Sequence, residues 1–439
     1  MPEVSSQSQW VPLSWPSVWK DPKSLDWITG TPINCLVFDA GWPESDPLLQ
    51  EARRRDLAIV DWSKTESSGI AAAEAAKIPW NGAHPIAAIT DAVWPGIRMS
   101  STARRDAADA GPTGAPWIDA NGWLVQLAHA RAPEKTVWLV SKPQTNRQNI
   151  VSENAYQLAV ADAAAGGARW LVSLDDRLAG DLAARNEAAI TRWRKLVAAL
   201  RFFEERRAWT GGPSRAVVAV ISTFSGGNEF LATEVLNLAA RRNLLHSVLL
   251  TGQAASTDFK PLKAILCLDT EAPPETLRRK LEAFVRAGGV LIAPAWAGKL
   301  SAGGKPLDSP VAGYDLRQVG VGRVAVPNAP WEDPYLVAAD AHVLVSHRED
   351  PVMLFNGGSL IAWYSAAPGG RGELVQLVRY TAQTQGQPVS LRLRRGYSSV
   401  NLATLESPAG VETPQTKAPA GVELALPPFG VFAALELRL

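Results

Sequence analysis

Four apolar runs in the first half of the chain end in a carboxylate. They are "CLVFDAGWP" at 35–43, "LAIVDWSK" at 57–64, "HPIAAITDAVWPGIR" at 84–98 and "WLVSLDD" at 170–176. Each run reads as a buried strand, so Asp39, Asp61, Asp91 and Asp175 with its neighbour Asp176 fall at strand ends. Trp42, Trp62 and Trp94 follow the first three within one to three residues. Grouped carboxyl groups can split their pKa values, so that one stays protonated while another ionises. Tryptophan adds a flat apolar face with a polar edge. The combination fits acid–base attack on a linkage between sugar rings, which needs a carboxyl group on each side of the bond. Each aspartate also has a plainer reading, as a turn former or as the N-cap of the next helix.

Asp91 and Asp175 make the best catalytic pair on this reasoning, because both end nearly unbroken apolar runs and should project from rigid sheet. Asp39, Trp42, Asp61, Trp62, Trp94 and Asp176 are then expected to line the substrate site. The Gly/Pro-rich stretch "DAGPTGAPWIDANGW" at 109–123 would lie over the same rim, adding Trp117 and Asp119. Arg98, Arg104 and Arg105 precede it and can meet an acidic sugar. The plain alternative is that Asp119 or Asn121 caps the helix that follows.

The elements that must position these residues alternate in type. From residue 30 to about 210, strand-like and helix-like runs take turns, which implies parallel strands with crossover helices. Ser45 or Asp46 should cap a helix with Pro47 at its first position. Ligands of such folds bind beyond the C-terminal ends of the strands, where the aspartates fall. A full eightfold barrel needs about 250 residues, whereas about 180 are present here. Six strands are clear, with two more only if "WVPLSW" and "AKIPW" count, so a reduced TIM-type barrel is expected over 1–212.

"TGGPS" at 210–214 marks a boundary, after which a second α/β series predicts a small doubly wound domain over 213–305. From 306 to 439 helical patterns give way to short alternating runs such as "HVLVSHR", "LIAWYSA" and "VSLRLRR", spaced as in an antiparallel sandwich.

Composition narrows the classes. The 439 residues carry a formal net charge of +1, which gives no field for collecting nucleic acid or acidic lipid. No apolar run is long enough for a transmembrane helix. The polar opening "MPEVSSQSQW" is no signal peptide and fits a secreted or periplasmic protein whose signal is missing. Cys35 and Cys267 both sit mid-strand and read as small buried hydrophobes. No metal-ligand spacing is present, and neither metal nor cofactor is expected. The 17 tryptophans are the unusual count and suit sugar stacking as well as core packing.

The stretches "LRRKLEAFVRAGGVLIAPA" at 277–295 and "DPYLVAADAHVLVSHREDPVMLFNGGS" at 333–359 resemble multidomain glycoside hydrolases of the β-galactosidase type. In those a barrel is followed by a glutamine-amidotransferase-like domain and a β-sandwich. The resemblance implies a carbohydrate substrate and the same three-part architecture. It covers the second half of the chain better than the first. Barrel glycosidases of that clan carry catalytic glutamates, often as Asn-Glu. Here Asn186-Glu187 and Asn228-Glu229 each open a predicted helix, where Asn reads as a cap and Glu as a first-turn acid. The alternative to hydrolysis is a non-catalytic carbohydrate-binding or scaffold protein on a degenerate barrel.

The middle domain shows no nucleophile at a strand turn, so it should be structural, packing between its neighbours or forming a contact in a homo-oligomer. "STFSGGNEF" at 222–230 lacks the phosphate-loop lysine and reads as a tight turn, although its glycines permit an anion cradle. His342 and His347, read as strand residues, would face opposite ways and make no metal pair.

Overall fold

The computed structural model describes residues 7–38, 42–62, 85–90, 92–98, 117–143, 153–210, 212–345, 350–357, 359–381 and 388–439. In its first part, Cys35–Phe38 pairs in parallel with Ala58–Asp61 on one side and with Pro12–Ser14 on the other. Pro12–Ser14 pairs in turn with Val172–Ser173. That segment continues Arg169–Trp170, broken only at Leu171, whose N–H still donates to the Leu139 carbonyl at 2.9 Å. Thr136–Leu139 bridges Arg169–Trp170 to Ile86–Ile89, again in parallel. Chain order and spatial order therefore agree around six strands, and the first strand pairs with the last. No pairing joins Ala58–Asp61 to Ile86–Ile89 among the described residues, so no closed barrel is formed by them. "WVPLSW" does count as a strand, while "AKIPW" lies outside the described residues.

Side-chain alternation gives this sheet two faces. Cys35, Val37, Ile86, Ala88, Trp138 and Leu171 cluster on the inner face around Trp10, with Trp62 packed beside them. Leu36, Phe38, Ile59, Ile89, Leu139 and Val172 point the other way, onto the helices. Those helices start as the sequence predicts. Asp46 caps Pro47–Arg54 by accepting from Leu48 N–H, and Asn186 caps Glu187–Glu205 by accepting from Ala188 and Ala189 N–H. Glu153–Ala165 ends before Gly167, whose φ of 86° is the left-handed conformation that favours glycine.

The second part is a seven-stranded sheet. His246–Leu250, Val218–Ser222, Ala264–Cys267 and Val290–Ile292 run parallel in that spatial order. The change of texture expected at 305 falls inside this sheet. Gly322–Pro327 joins Val290–Ile292 in parallel, and Tyr314–Val319 and Lys305–Leu307 extend it antiparallel. Short antiparallel edge strands carry the same alternation as sandwich strands, so the pattern alone does not separate them. "AHVLV" is likewise helical rather than a strand. It belongs to Pro334–Val345, which buries Val337, Ala341 and Leu344 in the core that Val235 and Leu236 of helix Glu229–Arg241 share. A helix apolar on nearly every side loses its periodic signature. His342 stands on this helix, with Nε2 2.8 Å from Asp350 Oδ2, and His347 lies outside the described residues.

From Val352 onward, a four-stranded and a five-stranded antiparallel sheet share one apolar core, built from Leu391 and Leu424 of one and Leu377 and Leu435 of the other. Cys35 and Cys267 are buried and free, matching the reading of both as small hydrophobes. No described helix is long and apolar enough to cross a membrane.

Candidate functional site at the strand ends

The structure divides the expected rim instead of gathering it. Asp39 and Asp91 lie outside the described residues, as do Arg104 and Arg105. Asp175 is a helix cap. Its Oδ1 accepts from Leu178 N–H at 2.9 Å and opens helix Asp176–Ala183. Its Oδ2 accepts from the Tyr156 hydroxyl at 2.8 Å, and the same hydroxyl accepts from the Asp175 N–H at 2.9 Å. The residue is 5% exposed, and both carboxylate oxygens are occupied by internal donors. Asp176 takes the exposed first turn of that helix, where a negative charge meets the positive end of the dipole.

Trp94 and Asp175 do come together, but through Tyr156. The Trp94 indole stands edge-on to Tyr156 at 5.5 Å and to Trp170 at 5.2 Å. This packing belongs to the core on the helical side of the sheet. Trp62 instead packs on the inner face, and Asp119 pairs through its backbone with Gly96. Trp117 pairs likewise with Arg98; the side chains of both lie outside the described residues.

Asp61 has the same parity as Ile59, so it turns to the outer face. There it meets Trp42 in an open recess of about 340 Å³, lined also by Phe38, Glu44, Leu49 and Arg53. Trp42 is half-buried and tilted against Phe38 at 5.1 Å. The recess holds one indole, two carboxyl groups and one guanidinium at the ends of two adjacent strands. It is an aromatic wall facing groups able to hydrogen-bond hydroxyls. Two of its residues, Trp42 and Asp61, were legible in the sequence. Glu44 and Arg53 were not, since they read as an ordinary turn and an ordinary charged helix face.

Asn121 is not a side-chain cap either. Its side chain accepts from Val93 N–H at 2.8 Å and donates to Val93 O at 2.9 Å and to Asp162 Oδ2 at 2.7 Å. Asp162 also accepts from the Tyr380 hydroxyl at 2.5 Å. Burial pushes the Asp162 carboxyl up to about 6. This network ties the "AVW" turn to helix Glu153–Ala165 and to the last part of the chain. Its signal in the sequence is a single carboxylate within "YQLAVADAAA".

In the second part, the Gly-containing turn after Val218–Ser222 holds an internal anion. Ser222 Oγ donates to Asp269 Oδ1 at 2.6 Å, Thr223 N–H donates to the carboxylate at 3.0 Å and Thr251 Oγ1 donates to Oδ2 at 2.7 Å. Asp269 thus fills the crevice where a doubly wound sheet would take a ligand. The plain-turn reading fits this arrangement.

No family model and no curated protein matches the sequence. Solved structures give distant likenesses. One is an α-L-fucosidase isoenzyme from Paenibacillus thiaminolyticus, with 12% identity over 70% of this chain and 60% of that one, at a TM-score of 0.48. A β-galactosidase from Bacillus circulans sp. alkalophilus shows 10% identity over 72% of this chain and 61% of that one, at 0.45. A rhamnosidase from Novosphingobium sp. PP1Y shows 14% identity over 81% of this chain and 34% of that one, at 0.49. The chain thus spans about 60% of the fucosidase's length. Likenesses this distant transfer no activity to this chain.

Proposed function

We propose that this chain is a carbohydrate-active protein built on a reduced barrel, an amidotransferase-like middle part and a sandwich, and that binding a sugar is its primary act. The observation that carries the reading is the recess where Trp42 faces Asp61, Glu44 and Arg53. An indole covers the apolar face of a pyranose ring, while carboxylates and a guanidinium take the hydroxyls at its edge. The commitment of Asp175 to Leu178 and Tyr156 favours binding over hydrolysis.

Hydrolysis is the second reading, favoured by the two carboxyl groups of Glu44 and Asp61 in one recess, the minimum a glycosidase needs. Asp91 stays a candidate for the acid–base role on its sequence context. The test is a screen of poly- and oligosaccharides by affinity electrophoresis and calorimetry, beside chromogenic glycosides. Saturable binding that Trp42→Ala weakens by about tenfold or more, roughly 1.4 kcal/mol, supports the binding reading. Turnover lost in Asp61→Asn or Asp91→Asn turns the case to hydrolysis. Binding indifferent to Trp42→Ala removes the recess from the function.

A further inference from the structure

A cavity of about 370 Å³ lies away from the strand ends, where the three parts of the chain meet. Its walls come from helix Gly122–Arg131, helix Glu229–Arg241 and the paired strands Leu360–Ala366 and Gly372–Arg379. Small-molecule sites favour such junctions, and the volume falls within their usual range.

Two primary amides on these walls have no partner in the protein. Asn237 is 8% exposed and Gln376 is 3% exposed, so both are more than nine-tenths buried. Neither side chain makes a hydrogen bond to any described residue. Neither is among the polar groups sealed away from solvent. Their amide atoms therefore keep open surface, and the space they open on is the cavity that both residues line. Each amide sets a carbonyl acceptor beside an N–H donor.

Aromatic area adjoins an amide in two places. Trp363 and Gln376 stand directly opposite each other in an antiparallel pair, so their side chains rise together from one face of the sheet. Trp123 and Gln126 are three positions apart on helix Gly122–Arg131 and share one face of it. Gln126 Nε2 donates to the His246 carbonyl at 3.3 Å, which orients that amide. A Cβ on Gly122 would stand 2.5 Å from the Trp363 ring, and one on Gly166 would stand 3.2 Å from it. Glycine at both positions lets this indole lie against two helices.

The wall carries no charge. No aspartate, glutamate, lysine or arginine lines it among the described residues. Burial pushes His129 and His246 below the usual histidine range, so both imidazoles are neutral at pH 7. An ionic ligand would give up its water there and gain no counter-ion. A sugar ring is a poor match as well, because every ring hydroxyl needs a partner and few groups on this wall have capacity left. A flat heteroaromatic ring matches better. Its faces stack on indole, and its few polar atoms lie along an edge that a side-chain amide can pair with, as asparagine and glutamine pair with adenine.

We propose that this three-way cavity binds a flat, uncharged nitrogen heterocycle of the nucleobase type, free or as a nucleoside, with its faces against Trp123 and Trp363 and its edge paired to the amides of Asn237 and Gln376. The site is separate from the Trp42 recess and independent of the sugar binding proposed there. An occupant touches all three parts and stabilises the whole chain by mass action.

The test uses the full chain with adenine, adenosine, uracil and uridine, beside AMP, UMP, glucose and lactose, read by isothermal calorimetry and thermal unfolding. At least one base or nucleoside should bind saturably and raise Tm. Tighter binding of the base, or of its nucleoside, supports the proposal and identifies the form the site prefers. AMP and UMP should bind at least about tenfold more weakly than their nucleosides, since a phosphate finds no counter-ion. Gln376→Met and Asn237→Leu keep the side-chain volume and remove donor and acceptor. Neither amide is bonded in the free protein, so its Tm should not fall, while affinity should drop about tenfold in each variant. Trp42→Ala should leave this binding unchanged. No saturable binding by any base or nucleoside overturns the proposal. So does binding that survives Gln376→Met and Asn237→Leu but falls in Trp42→Ala, which assigns it to the recess. Saturable binding of glucose or lactose that Gln376→Met abolishes overturns it too, by making the cavity a sugar site.

Discussion

Asp162 and Tyr380, 218 positions apart in the chain, share a 2.5 Å hydrogen bond in an interior closed to water. The bond fastens the first part of the molecule to the last. Asn121 completes it from a second helix.

The pH dependence of that contact follows from its burial. The Asp162 carboxyl is raised from 3.8 to about 6 in the folded chain. The folded state therefore binds more protons than the unfolded state between these values, and stability falls as pH rises from about 4 to about 6. Above that window the penalty is constant, on the order of 2–3 kcal/mol. Urea unfolding of wild type and Asp162→Asn across pH 4–7 should show their difference in stability moving against the wild type as pH rises through 6. Parallel curves for the two proteins would mean that Asp162 stays ionised throughout.

Asp175 should matter for folding more than for chemistry. Asp175→Ala removes both the cap of helix Asp176–Ala183 and the acceptor of the Tyr156 hydroxyl, at a cost of roughly 2–3 kcal/mol. Asp175→Asn keeps a capping oxygen and should lose less. Chemical denaturation reads both. If Asp175→Asn instead abolished a measured turnover with stability unchanged, a catalytic role would stand.

Asp269→Ala should destabilise the middle part by about 1–3 kcal/mol, because Ser222 Oγ, Thr223 N–H and Thr251 Oγ1 lose one shared acceptor. Millimolar phosphate or sulfate should not raise the Tm of the wild type, since the carboxylate already occupies the cradle. A clear rise would show that an added anion can displace it.

Gly322 sits where a Cβ would stand 2.0 Å from the Val285 carbonyl oxygen. Backbone on both sides leaves no flexible side chain to move. Gly322→Ala should therefore lower soluble yield and Tm by several degrees, whereas Gly298→Ala, with open space around it, should not.

Local chemistry was the legible part of this sequence. Pro47 after Asp46 and Asn186 before Glu187 act within a turn, so their spacing reports the element directly. Helix Pro334–Val345 escaped because apolar residues lie on nearly every side of it, exposed Leu336 and Val343 included, which erases its period, and the edge strands of 305–327 because antiparallel alternation looks alike in any sheet. The site was legible in residue type but not in direction. Asp61 and Trp62 are adjacent, so one faces outward and the other inward. Asp175 carries the same letters whether it caps a helix or faces a substrate. The partners that decide, Tyr156 and Leu178, are unmarked in the sequence.

The pairing of Leu13 with Val172 sets a timetable for synthesis. A ribosome releases the Pro12–Ser14 strand early, with Cys35–Phe38 soon available on one side, but its other neighbour emerges only after the chain has grown to residue 173. Until then the sheet has an unfilled position next to Leu13, whose apolar side chain must stay shielded while the chain lengthens. The earliest strand thus finds its second neighbour in the latest, and a nascent chain halted before Val172 would leave that side of Pro12–Ser14 unpaired.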